Sequence, residues 1–240
     1  EPEVAYETTE PPSPSGESTS VPPQPTAPAR YRYSTPMEGE YSRGDTDTPM
    51  IAITFDAGAD ASPTPLILDT LAKHEVHATF FLTGTWVKRN PELLRRIVKE
   101  GHEVANHTYS HKRLTELSDG KIAEEVERTD ELIREISGVS TKPLLRVPYG
   151  DRNKHVLSVL RDLGYQSIRW DIDSWDSVKA GITSDEIRQR VLAMARNGSI
   201  VLMHCGSRAS AEALDSILTQ LERSGYEQVT VSRLLDLRQP

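Results

Sequence analysis

The chain has 240 residues, 36% of them hydrophobic, which is enough for one substantial core and favours a single domain with or without a tail. Its 28 basic and 36 acidic residues give a formal net charge of -8 without a basic cluster, which argues against a nucleic-acid partner or a polybasic membrane patch. No apolar run approaches the roughly 18 residues that a membrane-spanning helix needs.

The amino-terminal part of the chain is rich in proline, serine and glutamate. Residues 1–49 contain 10 of the 16 prolines, and the segment has too few apolar side chains to offset the entropy of ordering it. We therefore predict a disordered tail or extended stalk over residues 1–47 and a folded domain over residues 48–240. The first residue is Glu1 rather than Met, which suggests a processed or trimmed chain from which a signal peptide or anchor is already gone. Together with the stalk, this gives the expectation of a secreted or cell-surface protein.

Seven short apolar runs, separated by segments of helical character, predict β-strands in the folded domain. The runs cover residues 50–55, 77–82, 102–107, 144–147, 166–170, 199–203 and 228–231. This alternation predicts an α/β fold with a parallel sheet and right-handed crossovers, and at seven strands such a sheet can curl into a barrel. Chemistry in these folds lies at the carboxyl ends of the strands.

Ionisable side chains follow most of the predicted strands directly. They are Asp56, His107, His111, Arg146, Asp171, Asp173, Asp176 and His204. A single histidine near a strand end is more often a hydrogen-bonded partner than a ligand, but the joint pattern predicts one cluster on one rim. Two imidazoles alone seldom hold a catalytic zinc ion, which usually takes three protein ligands and a water.

Five short segments contain most of these ionisable residues. They are "TFDAG" (54–58), "HTYSH" (107–111), "RVPYG" (146–150), "DIDSWD" (171–176) and "IVLMH" (200–204). In this order they resemble the five motifs of the polysaccharide deacetylases, the carbohydrate esterases of the NodB-homology type. The resemblance covers roughly residues 48–236 and implies a distorted (β/α)7 barrel that forms the catalytic domain. It also implies metal-dependent hydrolysis of an N-acetyl group on a sugar.

The resemblance implies roles for the residues around the attacking water. Asp56 resembles the general base, and Arg146 resembles the residue that orients it. His107 and His111 resemble the metal ligands. These roles are chemically consistent, because a divalent ion lowers the pKa of its bound water and a carboxylate can then take the proton.

Three further residues resemble those that act on the oxyanion and the leaving group. Tyr149 would supply a backbone N–H to the oxyanion, His204 would be the general acid, and Asp176 would orient that acid. An amine is a poor leaving group unless it is protonated, so a cationic histidine held by a nearby carboxylate suits this step.

One position departs from the family pattern, which in most members has two adjacent aspartates in the first motif, the second of which binds the metal. Here that second position is Ala57, which cannot coordinate an ion. Asp60 is the nearest replacement, because Gly58 allows a turn that could bring it inward, and we predict His107, His111 and Asp60 as the ligands. Weaker metal binding, a water in the gap and a purely local role for Asp60 before the next helix stay open.

The expected cofactor is a divalent ion, for which two histidines and a carboxylate favour zinc while also accepting cobalt, manganese or nickel. The expected partner is a polysaccharide that carries N-acetylglucosamine. The stalk and the expected export favour peptidoglycan, with chitin oligomers and acetylated xylan as alternatives.

Two rival functions are weighed against this hypothesis. Cys205 beside His204 suggests a thiol hydrolase, but neighbours on a strand point to opposite faces, which makes such a dyad awkward. A catalytically silent sugar-binding barrel would explain Ala57. The other catalytic candidates are all present in the sequence, which argues against the silent barrel.

Overall fold

The computed structural model describes residue 37 and residues 39–58 and 60–237. Within these residues, nine strands form one parallel sheet. The strands are β1 Glu40–Tyr41, β2 Met50–Ala57, β3 Thr79–Leu82, β4 Glu103–Asn106, β5 Leu144–Leu145, β6 Gln166–Ile168, β7 Ile172–Asp173, β8 Ile200–His204 and β9 Glu227–Val229. Their order across the sheet is β1-β6-β5-β4-β3-β2-β8-β7, and β9 pairs with the start of β2.

Eight α-helices connect and cover the strands in the described part of the chain. They are α1 Thr64–Lys73, α2 Gly84–Arg89, α3 Pro91–Lys99, α4 Asp119–Ser137, α5 Lys154–Asp162, α6 Ser184–Met194, α7 Arg208–Arg223 and α8 Val231–Leu234. Among these helices, none combines the length and the apolar character that crossing a bilayer requires.

The alternation of side chains along β2 separates a helix-covered face from an inner face. Ile53 and Phe55 belong to the large hydrophobic cluster that β2 shares with the helices, whereas Ala52 belongs to a second cluster inside the curled sheet. Thr54 and Asp56 point to the same side as Ala52, because residues two apart on a strand share a face. Polar groups therefore lie inside the sheet at the carboxyl end of a central strand.

The predicted α/β fold, a curled parallel sheet of the (β/α)7 type, is confirmed, and all seven predicted strands are present. The prediction missed β1 and β7, which have only two residues each and therefore show no apolar run. β1 lies upstream of the predicted boundary between residues 47 and 48, so the folded part begins earlier than predicted. Residues 1–36 and 38 of the predicted tail lie outside the described residues.

The chain that follows β1 passes close to the turn before β8. Arg43 bridges to Ser199, and the N–H of Gly44 donates to the carbonyl oxygen of Gly198 at 2.8 Å. Gly198 has a φ of +80°, and a Cβ added to it would lie 2.1 Å from the carbonyl oxygen of Gly44. Glycine is therefore required here by the backbone conformation and by the close approach together.

We expect Gly198→Ala to lower the free energy of unfolding by about 2–4 kcal/mol, because it adds a left-handed strain and a backbone clash. Gly120→Ala is the matched control, since Gly120 lies inside α4 with nothing within 4 Å of an added Cβ. Alanine at that position should stabilise the helix by roughly 0.5–1 kcal/mol. Thermal and urea denaturation measure both changes. Equal stability of the two variants would contradict the close approach of Gly44 and Gly198.

Candidate active site

A buried ion pair lies at the carboxyl end of β2. Asp56 is buried, and its Oδ1 accepts a hydrogen bond of 2.6 Å from Nη1 of Arg146. The same Nη1 donates to Oγ1 of Thr54 at 2.9 Å. Burial on its own raises the pKa of Asp56, but Arg146, with smaller contributions from His107 and His204, lowers this pKa below its ordinary value. Asp56 is therefore held as a carboxylate inside the fold.

The guanidinium of Arg146 is held on several sides. The side chain is fully buried, and it donates from Nε to the carbonyl oxygen of Ile168 at 3.2 Å and from Nη2 to that of Arg169 at 3.1 Å. The ring of Phe81 lies 4.0 Å from the guanidinium carbon. The backbone that follows β6 thus fixes the group that orients Asp56.

Two tight turns bring the histidines of the second motif side by side. Oδ1 of Asn106 accepts a hydrogen bond from the N–H of Thr108 at 2.9 Å, and Oγ1 of Thr108 accepts one from the N–H of His111 at 3.2 Å. Thr108 and His111 both have positive φ angles, 65° and 59°. The rings of His107 and His111 are consequently 4.8 Å apart between centroids.

Both imidazoles are neutral and able to act as ligands. Burial lowers the pKa of His107 to about 4 and also lowers the pKa of His111. Nδ1 of His107 lies 2.8 Å from the carbonyl oxygen of Arg146, so Nδ1 carries the proton and Nε2 presents a lone pair. That Nε2 lies 3.5 Å from Oδ2 of Asp56. The lone pair of His107 and a carboxylate oxygen of Asp56 therefore face each other.

The histidine pair supplies two neutral imidazole donors, one fewer than the three protein ligands that a catalytic zinc ion usually takes. No group of three or more His, Cys, Asp or Glu side chains in the described part of the chain is arranged to hold a metal ion. Ala57, where the family pattern has a carboxylate, is fully buried in the hydrophobic cluster next to the helices. An ion bound by His107 and His111 would therefore complete its coordination with water and substrate oxygen atoms.

The structure does not bring Asp60, the predicted third ligand, to the two imidazoles. Its exposed carboxylate accepts hydrogen bonds from the N–H of Ser62 at 3.0 Å and from the Ser62 hydroxyl at 2.5 Å. These bonds lower the pKa of Asp60. The observed arrangement is the local alternative considered from the sequence, a carboxylate near the start of α1.

A second buried acid faces the histidine at the end of β8. The register of β2 and β8 sets His204 directly opposite Asp56. Nδ1 of His204 lies 2.7 Å from Oδ1 of Asp176, whose Oδ2 accepts hydrogen bonds from the His204 N–H at 2.8 Å and the Ser210 hydroxyl at 2.5 Å. Burial on its own lowers the pKa of His204, but Asp176 raises it above its ordinary value. Nε2 of this imidazolium is the atom that can donate a proton.

Tyr149 lies in the short turn Pro148–Gly150 beside the histidine pair. Its φ is 58°, a left-handed conformation that is strained for tyrosine. The ring is 61% exposed, lies 4.6 Å from the ring of His111 and has the guanidinium carbon of Arg113 at 4.7 Å. The turn therefore brings both the backbone and the ring of Tyr149 to the edge of the site.

Sequence reasoning missed the residues that hold these groups in place. Thr54 accepts a hydrogen bond from Arg146, Asn106 orders the histidine turn, and Ser210 donates to Asp176. Asn106 directly precedes the second motif, which could have identified it. Ser210 gave no local signal, because it lies on α7, 34 residues from its partner.

The rival thiol site has no support in the structure. Cys205 is fully buried in the hydrophobic cluster that β8 shares with the helices. Burial raises the pKa of its thiol above the ordinary value. A thiol in these surroundings is chemically inert.

The curled parallel sheet brings the histidine pair and the two buried ion pairs together at one rim. Residues 43–168 match the family model of the polysaccharide deacetylases. The chain belongs to this family, and the resemblance seen in its five motifs is confirmed.

Relatives of known name include enzymes that act on peptidoglycan. The peptidoglycan-N-acetylglucosamine deacetylase PgdA of Listeria monocytogenes is 38% identical over 85% of this chain and 42% of its own length, so the chain spans less than half of that relative. The peptidoglycan-N-acetylmuramic acid deacetylase PdaA of Bacillus subtilis is 35% identical over 80% of this chain and 73% of its own. The solved structure of PdaA has a TM-score of 0.78 at 34% identity, covering 82% of this chain and 84% of PdaA.

A third relative has a different character. A protein from Bacillus anthracis, described as a CE4-family pseudoenzyme, has a TM-score of 0.78 at 31% identity, covering 84% of this chain and 70% of its own. The same fold thus carries both active and inactive sites at similar distances from this sequence.

Asp176→Asn removes the charge that raises the pKa of His204, so we expect the variant histidine to titrate at lower pH than in the wild type. Because this pKa is raised by folding, the ion pair stabilises the protein fully below pH 6.5, and the stabilisation is lost as pH rises through the raised value. NMR titration of the His204 ring checks the shift. Asp215→Asn, which removes a carboxylate 2.8 Å from His74, should leave His204 unchanged. An unaltered His204 titration in Asp176→Asn would contradict the pairing.

Proposed function

We propose that this chain is a metal-dependent hydrolase that removes N-acetyl groups from the amino sugars of peptidoglycan. The observation that carries the proposal is that two facing groups, a carboxylate and an imidazole, are each hydrogen-bonded to a buried partner of opposite charge. Arg146 holds Asp56 as a carboxylate, and Asp176 holds His204 as an imidazolium, on directly paired positions of β2 and β8. Amide hydrolysis needs one group that accepts a proton and one that donates a proton within the same site.

The base side of the reaction falls to Asp56. Oδ1 is engaged by Arg146, and Oδ2 faces the Nε2 atom of His107. Oδ2 is therefore the atom that takes the proton from a water placed beside the histidine pair. Arg146 keeps this carboxylate ionised and prevents it from rotating, because its own guanidinium is fixed by backbone carbonyl groups.

The acid side falls to His204. Its Nδ1 is tied to Asp176, so Nε2 delivers the proton to the departing amine. The backbone N–H of Tyr149, at the edge of the histidine pair, would donate to the oxygen of the tetrahedral intermediate. A divalent ion, for which we propose zinc, would be held by His107 and His111 and would supply Lewis acidity toward the acetyl oxygen and the attacking water.

The substrate proposal follows from the relatives whose names state an activity. Listeria PgdA acts on N-acetylglucosamine of peptidoglycan and Bacillus PdaA on N-acetylmuramic acid. Either sugar presents the same acetamide to the catalytic groups. We therefore infer an N-acetylated sugar of peptidoglycan as substrate and the cell wall, outside the membrane, as the place of action.

A second candidate is a barrel that binds glycans without hydrolysing them. The incomplete ligand set at Ala57 favours it, and so does the likeness to the pseudoenzyme of Bacillus anthracis. The base, the acid and both imidazoles nevertheless keep the contacts that catalysis requires, which favours the hydrolase.

The activity is tested by measuring acetate released from peptidoglycan, N-acetylglucosamine oligomers and acetylated xylan, each with zinc and with a chelator. We expect acetate to be released from peptidoglycan when zinc is present and not when the chelator is present. Asp56→Asn should lower kcat by about 10²–10⁴-fold, because the amide cannot accept the proton. Asp215→Asn, a change of an exposed carboxylate, should keep full activity.

Glycan binding without acetate release under any metal would favour the silent barrel. Release from xylan alone would overturn the proposed substrate. Full activity in Asp56→Asn would show that Asp56 is not the general base and would contradict the proposed mechanism.

The metal site is tested by calorimetric titration of zinc into single variants. His107→Ala should weaken binding by at least about 100-fold, because it removes one of two protein ligands. Asp60→Ala should bind zinc as the wild type does, because the Asp60 carboxylate is bonded to Ser62. A large loss in Asp60→Ala would restore Asp60 as a ligand and contradict the two-histidine site.

A further inference from the structure

A buried acidic residue on β1 lies outside all five sequence motifs. Glu40 has a fully buried side chain, and its two carboxylate oxygens accept hydrogen bonds from Nε and Nη2 of Arg152 at 2.8 and 2.7 Å. The two residues are 112 positions apart in the chain. This two-point contact fixes the direction of the Arg152 guanidinium as well as its position.

Arg152 lies two residues beyond the turn that carries Tyr149. Its Nη1 lies 3.4 Å from the carbonyl oxygen of Gly150, the residue after Tyr149. Arg169 also lies near this glycine, with its Nη2 at 3.8 Å from the position of an added Cβ. Nε of Arg169 is 3.9 Å from Oε1 of Glu40, an ion-pair distance. The Glu40 carboxylate is therefore hydrogen-bonded to one guanidinium near Gly150 and ion-paired with a second.

The backbone of β1 also contacts the segment that fixes Arg146. The carbonyl oxygen of Tyr41 accepts a hydrogen bond of 2.6 Å from the N–H of Arg169. The carbonyl oxygens of Ile168 and Arg169 in turn accept hydrogen bonds from the Arg146 guanidinium. β1 is thus joined to the Pro148–Gly150 turn through the side chain of Glu40. It is joined to the Arg146–Asp56 pair through its backbone.

We propose that Glu40 is a positioning residue of the active site, which acts through Arg152 and Arg169 on the Pro148–Gly150 turn. The inference rests on the proposed function, in which the N–H of Tyr149 binds the oxyanion. Tyr149 has a strained left-handed backbone, and such a conformation persists only where its surroundings over-determine it. The contacts made by Glu40 supply that constraint from a strand that the catalytic motifs do not include.

The consequence is a specific kinetic effect. A displaced Tyr149 N–H weakens the stabilisation of the transition state while leaving the bound substrate nearly unaffected. Loss of the Glu40 charge should therefore lower kcat with little change in KM. Misplacement of a positioning contact by about 1 Å can lower the rate by up to about 100-fold.

The test compares Glu40→Gln with Glu227→Gln. Both replace a glutamate on a short strand that is paired with an arginine, but Glu227 is half exposed and binds Arg233 outside the catalytic rim. We expect Glu40→Gln to lower kcat by about 10–100-fold at nearly constant KM. Glu227→Gln should keep the wild-type values. Glu40→Asp retains the charge but shortens its reach, and it should give an intermediate kcat.

Amide hydrogen exchange provides a readout that does not depend on activity. The amides of residues 149–152 should exchange faster in Glu40→Gln than in the wild type, whereas they should be unchanged in Glu227→Gln. Both measurements are made at a temperature at which circular dichroism shows the variants to be folded. The double variant Glu40→Gln with Arg152→Gln should be no worse than either single variant, because the two residues act through one contact.

Equal exchange of the amides of residues 149–152 in both glutamine variants would overturn the positioning role, and so would an unchanged kcat in Glu40→Gln. A wild-type protein that releases no acetate would contradict the proposed function instead. In that case, faster exchange of these amides in Glu40→Gln than in the wild type would still support the structural contact. The two hypotheses therefore fail by different measurements.

Discussion

The buried contact between Arg146 and Asp56 is the interaction on which the rest of the site depends. Moving two charges out of water costs several kcal/mol for each, and only close geometry with further hydrogen bonds compensates for it. The structure provides both, with a 2.6 Å contact and with backbone carbonyl groups on the remaining guanidinium nitrogens. The sheet must curl for these groups to meet, because β2 supplies the carboxylate, the residue after β5 supplies the arginine, and the end of β6 with the next residue supplies its acceptors.

The rest of the site uses burial to set protonation in opposite directions. Burial lowers the pKa of both histidines of the second motif because its effect outweighs the opposing charge of Asp56, and His107 donates to a carbonyl group so that its other nitrogen faces Asp56. His204 is also buried, yet the adjacent Asp176 makes it more basic. The same residue type thus serves as ligand or as acid according to its neighbour. The family's second aspartate is absent, and nothing else in the described residues takes its place.

Periodicity and strand-end chemistry predicted most of the fold and the cluster of catalytic candidates, because parallel strands bring their carboxyl ends to one rim. The sequence predicts least where a residue's position depends on contacts with other parts of the chain. Asp60 was placed at the metal on sequence proximity, although the nearer Ser62 offers its carboxylate two hydrogen bonds. β1 was missed because two residues carry no periodicity, and the partner of Glu40 lies 112 residues away. Such contacts become visible only when the chain is folded.

The narrow crossing of Gly44 and Gly198 has a practical consequence for handling the protein. The chain reaches the sheet at β1 and then passes the turn before β8 with no room for a side chain. Affinity tags, fluorescent fusions or surface-immobilisation linkers should therefore be joined upstream of Glu40. Variants shortened to begin at β2 would lose β1, which is an edge strand of the sheet, together with the segment between β1 and β2.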